Sequence, residues 1–127
     1  MTLRTLLFLK ATAGGQGGKP EHWPTDQLDT GAMSSTGVWT HYTTGNQATQ
    51  IDYVSSAITS VTVGEGYRIL VYTYALDETF EERSSYITTS YSSFDHENHK
   101  YKVVIRKTGT DNITVEEASA GTTLGYD

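Results

Sequence analysis

With 127 residues, no cysteine and a formal charge of -6, the chain is long enough for one cored domain but has no disulfide or thiolate site to hold it. The acidic balance works against a nucleic-acid partner, because phosphate binding needs a basic face that releases counterions, and no stretch is long and apolar enough to insert into a membrane. Hydrophobic content is 36%, yet nine Tyr, two Trp and many Thr and Ser tilt the composition toward strands.

The chain opens on Leu3, Leu6, Leu7, Phe8 and Leu9, flanked by Arg4 and Lys10. Together with Ala11 and Ala13 this imitates a secretory signal, but Lys10 ends the apolar run short of the roughly 7–15 residues such a signal needs. Residues 14–20, Gly-Gly-Gln-Gly-Gly-Lys-Pro, form the clearest linker, since glycine is costly to order and proline lacks a donor. Two readings of the Leu-rich segment stand side by side: an assembly arm that docks on a neighbouring copy or scaffold, and a first strand of the same sandwich.

Residues 21–35 read as a loop, with Asp26, Asp29 and Gly31 as turn formers and Trp23 as a plug at the edge of the core. Strands are expected over residues 37–43, 48–54 and 57–63. The strongest stretch is Tyr67-Arg68-Ile69-Leu70-Val71-Tyr72-Thr73-Tyr74, entered through Gly64 and Gly66. At period two it places Tyr67, Ile69, Val71 and Thr73 on one face and Arg68, Leu70, Tyr72 and Tyr74 on the other, so both faces ask for cover or for a partner. Further strands are expected over residues 80–91, over 101–107 with Tyr101, Val103 and Ile105 inward, and over 113–115. A polar tail with room for one helical turn follows. The domain division is residues 1–34, arm or first strand plus linker, and residues 35–127, the sandwich. Short strands separated by turn signals, with no sustained helical period, define an all-β antiparallel β-sandwich with an extended N-terminal arm.

The blocks at Ile58 to Val63, Gly66 to Tyr72, Tyr86-Ile87-Thr88, Tyr101 to Lys107 and Asp111-Asn112-Ile113-Thr114 follow an order that resembles the jelly-roll β-sandwich modules of bacteriophage tail, fibre and head-surface proteins. Those modules are in turn similar to carbohydrate-binding modules. Tyr86 stands where such modules often carry tryptophan, and Val115 where they often carry proline. The resemblance covers about the C-terminal two-thirds of the chain and implies a jelly-roll-like fold, a place in a virion, and partners among copies of itself, virion proteins and host-surface carbohydrate. It transfers no functional residue.

No enzyme signature stands out. Asp95, His96, Glu97 and His99 crowd one loop but lack an established metal spacing, and Asp77, Glu78, Glu81 and Glu82 lack the regular alternation of a calcium loop. A solvated turn is the expectation for each, with no metal and no cofactor. The acids offer no dry pocket for a glycosidase pair, and no Gly-x-Ser-x-Gly surrounds a serine. The aromatics remain, because a small core does not readily bury so many phenols and indoles with their polar tips. Trp39, Tyr72, Tyr74 and Tyr86 are the candidates for a sugar platform or a subunit interface. The expected function is therefore a non-enzymatic virion component that assembles through its N-terminal arm, with a carbohydrate-binding module as the alternative.

Overall fold

The computed structural model describes residues 19–127. Its strands are β1 (Leu28–Met33), β2 (Trp39–His41), β3 (Gln47–Gln50), β4 (Ile58–Val63), β5 (Tyr67–Ala75), β6 (Phe80–Arg83), β7 (Ser90–Tyr91), β8 (His99–Lys107) and β9 (Thr122–Tyr126), with a 3₁₀ turn at Thr25–Gln27 and one α-helix, α1 (Val115–Ala120). Six strands form one sheet in the order β2-β1-β3-β8-β5-β6, and three form a second in the order β7-β4-β9. Every pairing between these strands is antiparallel. The protein is an antiparallel all-β sandwich.

Its spine is the β5–β8 ladder, in register from Tyr67 opposite Lys107 to Ala75 opposite His99. Both strands are rich in β-branched and aromatic residues, which suit a pleated surface flanked by neighbours. Alternation sends Ile69, Val71, Val103 and Ile105 into the space between the sheets, where they meet Val61 of β4, Leu124 of β9, Leu28 and Trp23. The opposite face is buried as well. Leu70, Tyr72, Tyr74, Val104 and Met33 form a second core, with Trp39, Tyr53 and Phe80 packed against it.

That second core exists because the six-stranded sheet curls over itself. The β1–β2 turn, at one edge, reaches β5 and β6 at the other: the Tyr74 hydroxyl donates to the Gly37 carbonyl at 2.8 Å. Gly37 sits at φ +82°, and a Cβ there would lie 2.6 Å from the Phe80 ring. Glycine is required on both counts. Tyr74 meets Tyr53 and Phe80 edge-on, with ring centroids 5.2 and 5.9 Å apart. Tyr72 is fully buried, and its hydroxyl has no partner among the described residues.

Three expectations are corrected. Residues 21–35 are not simply a loop: Trp23 and Leu28 are core residues, and β1 lies between β2 and β3 inside the sheet. A sandwich beginning at residue 35 therefore starts too late. Asp29 and Gly31, read as turn formers, have other uses within β1. Asp29 receives the Trp39 indole N–H, and a side chain on Gly31 would collide with the Thr40 backbone and approach the Trp39 ring to 3.0 Å. The tail carries the expected helical turn, as α1, but it does not stay a polar tail. Ile113 makes only an isolated bridge, to Gly45, after which Thr114 caps α1 in a capping box with Glu117. The chain then returns as β9 along β4, where Leu124 enters the first core. Finally, residues 80–91 do not run as a continuous pair of strands. Between β6 and β7 only Ile87 bridges, to Ile69.

Candidate functional site

A cluster of two arginines and a tyrosine lies at the end of the curled face near Tyr67. In the β5–β8 ladder Arg68 stands directly opposite Arg106. Since Ile69 and Ile105 point into the first core, both arginines emerge on the opposite face, one step beyond Leu70 and Val104. The Ile69–Ile87 bridge, closed by two hydrogen bonds of 2.9 Å, then brings the next segment alongside. Ile87 packs toward the first core, so its neighbour Tyr86 stands with the arginines.

Tyr86 is 42% exposed. The Arg68 guanidinium lies 3.9 Å from its ring centroid, and that of Arg106 lies 5.9 Å away. Arg106 Nη1 also donates to the Tyr86 hydroxyl at 2.7 Å. Stacking of this kind orients guanidinium planes without neutralising them. Neither arginine takes part in an ion pair among the described residues, and the Nε atoms of both are buried without a hydrogen-bond partner.

At the other end of the same face the cations are matched. Lys100 pairs with Glu78 at 2.8 Å, which holds its ammonium above the usual range. Lys102 donates to the carbonyls of Gln50 and Ile51, both at 2.9 Å, and burial pushes its ammonium down. Both lie near the Tyr53 ring, at 5.3 and 5.2 Å.

The four aromatics suggested for a platform do not form one. Tyr72 and Tyr74 belong to the second core, 0% and 4% exposed, and burial pushes the Tyr74 phenol up to about 12. Trp39 is half-buried, its indole N–H held by Asp29 at 2.8 Å, and only Tyr86 is exposed. Period two showed which residues share a face with Leu70, but not that the face folds shut over Tyr72 and Tyr74. Leu3, Leu6, Leu7, Phe8 and Leu9 lie outside the described residues.

The loop at residues 95–99 separates its ligating groups. His96 Nε2 lies 2.7 Å from the Ile58 carbonyl and its ring stacks on Phe94, whereas the His99 ring turns toward Glu81, 2.8 Å away. Asp95 accepts from Asn98, a bond that holds its carboxyl below the usual range. In the acidic turn the Asp77 carboxylate accepts from the Thr79 amide, and Glu78 adopts φ +75°. Among the described residues no three His, Asp or Glu side chains gather as a metal site. A groove of about 660 Å³, lined by Trp23, Pro24, Ile51, Tyr53, Ile58 and Tyr126, opens beside Lys19 and Pro20.

Asp29 makes the edge of the sheet pH-sensitive. Burial pushes its carboxyl up, but bonds from Trp39 and His41, with the His41 charge, outweigh that and leave it lowered from 3.8. A group depressed on folding stabilises above its unfolded pKa and loses that contribution as pH falls through the folded value. The fold is therefore expected to weaken as pH drops below about 4, with a shallower loss in Asp29→Asn, as read from urea midpoints at stepped pH.

The class defined here is an antiparallel β-sandwich whose larger sheet curls around an aromatic second core and carries at one end an arginine couple with no ion-pair partner among the described residues. No family model, curated protein or solved structure matches this chain.

Proposed function

We propose that this is a non-catalytic module that acts by assembly and binding, a virion structural component of the kind its strand blocks resemble. The observation that carries this reading is where the side chains capable of chemistry are spent. Asp29 holds Trp39 and His41, Glu117 serves the α1 cap and Lys107, His96 faces a carbonyl, and the His22 ring lies 2.7 Å from the Thr122 carbonyl. These groups organise the fold instead of converging on a common point.

Large apolar side chains stand exposed around the six-stranded sheet: Val38, Tyr42, Ile51 and Leu76 are each more than half exposed. They offer contact area to neighbours in an assembly. The Leu-rich segment adds five apolar side chains, each contributing about 1.5–3 kcal/mol if fully buried on a partner. The test is solution mass by light scattering for the full chain and for a version lacking residues 1–13. An oligomer that becomes monomeric on truncation supports assembly through the arm; a full chain that is already a stable monomer, unchanged by truncation, removes that role. The carbohydrate-binding alternative draws only on Trp39 and Tyr86, since Tyr72 and Tyr74 are enclosed.

A further inference from the structure

We infer that Arg68 and Arg106 form a binding site for an oxyanion, a carboxylate, sulfate or phosphate group that bridges the two guanidiniums beside Tyr86. Like charges set directly across a ladder repel, and a fold tolerates them when something of opposite sign lies between or near them. Among the described residues no carboxylate comes within ion-pair distance of either arginine. The first carboxylate in the sequence is Glu21, so every acidic side chain belongs to the described residues, and none pairs with either arginine. Such a concentration of positive charge is conspicuous in a chain of net charge -6.

The geometry suits an oxyanion specifically. Guanidinium presents donors in a planar fork that matches two oxygens at once, and two arginines directly opposite in the ladder, gathered on one tyrosine, are near enough to share one group. Tyr86 supplies the orientation: its ring stacks on Arg68 while its hydroxyl fixes one Nη of Arg106. The remaining Nη groups, which have no partner among the described residues, are not fully buried. Both arginines stand on strands paired along the whole β5–β8 ladder and are packed against Tyr86, so less ordering is required when the anion arrives than for free side chains. The site is separate from the N-terminal segment and does not depend on the assembly role proposed above.

The experiment follows the Nε–H resonances of the two arginines by ¹⁵N–¹H NMR in the full chain. Sulfate, phosphate and acetate are titrated in turn at constant ionic strength, with chloride as the balancing salt. A saturable shift of both resonances is expected, with half-saturation in about the millimolar range. Which of the three probes saturates first separates a carboxylate ligand from a tetrahedral one. Arg68→Gln and Arg106→Gln should each weaken saturation about tenfold or more, as expected when one charge-assisted pair of bonds is lost. Arg106→Lys keeps the charge but not the fork, and should weaken it too; it serves where a glutamine variant does not fold. Shifts that stay linear and equal for all three anions, or that persist undiminished in the folded variants, would overturn the site.

Discussion

Replacing Gln50 by alanine should lower the unfolding free energy by about 3 kcal/mol, through a buried Val103 N–H left without its partner, a Val103 carbonyl reduced to its bond from Thr49, and the space the side chain vacates. The reason lies in the seam between β3 and β8. Those strands are paired at Ala48 opposite Ile105, and continuing that register would set the Gln50 backbone against Val103. Instead the side-chain amide takes the place of the peptide: Nε2 donates to the Val103 carbonyl and Oε1 accepts from the Val103 amide, both at 2.8 Å. Thr49 Oγ1 adds a third bond, to the same carbonyl at 2.9 Å. Gln50 and Thr49 are 4% and 0% exposed, so water does not easily replace what is removed. Urea unfolding should show a lower midpoint, and exchange of the Val103 amide should accelerate. Gln50→Glu sharpens the test. Ionised glutamate keeps an acceptor for the amide but turns a second one on the carbonyl, so its loss should shrink as pH falls and the acid regains a donor. Equal stability of Gln50→Ala and the parent chain would mean that the seam is held elsewhere.

The substitution of a side chain for a strand is one part of the fold the sequence does not display. What it does display is alternation. β4, β5 and β8 are legible because period-two runs of Val, Ile and Tyr leave few alternatives, and the two-faced apolar pattern of β5 already asks for cover on both sides. β1 is hidden because Asp29 and Gly31 resemble turn chemistry, whereas their use is to receive an indole N–H and to leave room for Trp39. The Thr114-Val115-Glu116-Glu117 capping box is a local signal for α1, the helical turn expected in the tail, but it carries no information about β9 behind it. The arginine couple has no local signal. It arises because residues 38 positions apart share a register position in the ladder, a long-range relation that neither neighbourhood encodes. Tyr86 joins them only through the short bridge at Ile87.

Tyr74→Ala is expected to be the most damaging single change in the second core, about 3–5 kcal/mol, the range for removing a large buried ring. Tyr74 is where the curl closes. Its ring contacts Tyr53 and Phe80, and its hydroxyl, 3.8 Å from the Met33 sulfur, ties β5 to the Gly37 carbonyl across the sheet. Truncation therefore opens a cavity and also releases the β1–β2 turn from the far edge. Trp23 lies in the first core and Trp39 beside the second, so each core carries its own fluorophore. In a Trp23→Phe background the Tyr74→Ala chain should show red-shifted Trp39 emission even before denaturant is added, together with a lower urea midpoint. Tyr72→Phe provides the contrast. It removes a buried hydroxyl that has no partner among the described residues, so it should leave stability unchanged or raise it by up to about 1 kcal/mol. If Tyr74→Ala cost no more than Tyr72→Phe, the second core would be filling space without holding the curl. Tyr74→Phe, which keeps the ring and removes only the hydroxyl, separates the two contributions: a further loss there would locate the closure at the bond to the Gly37 carbonyl, and none would place it in the ring contacts.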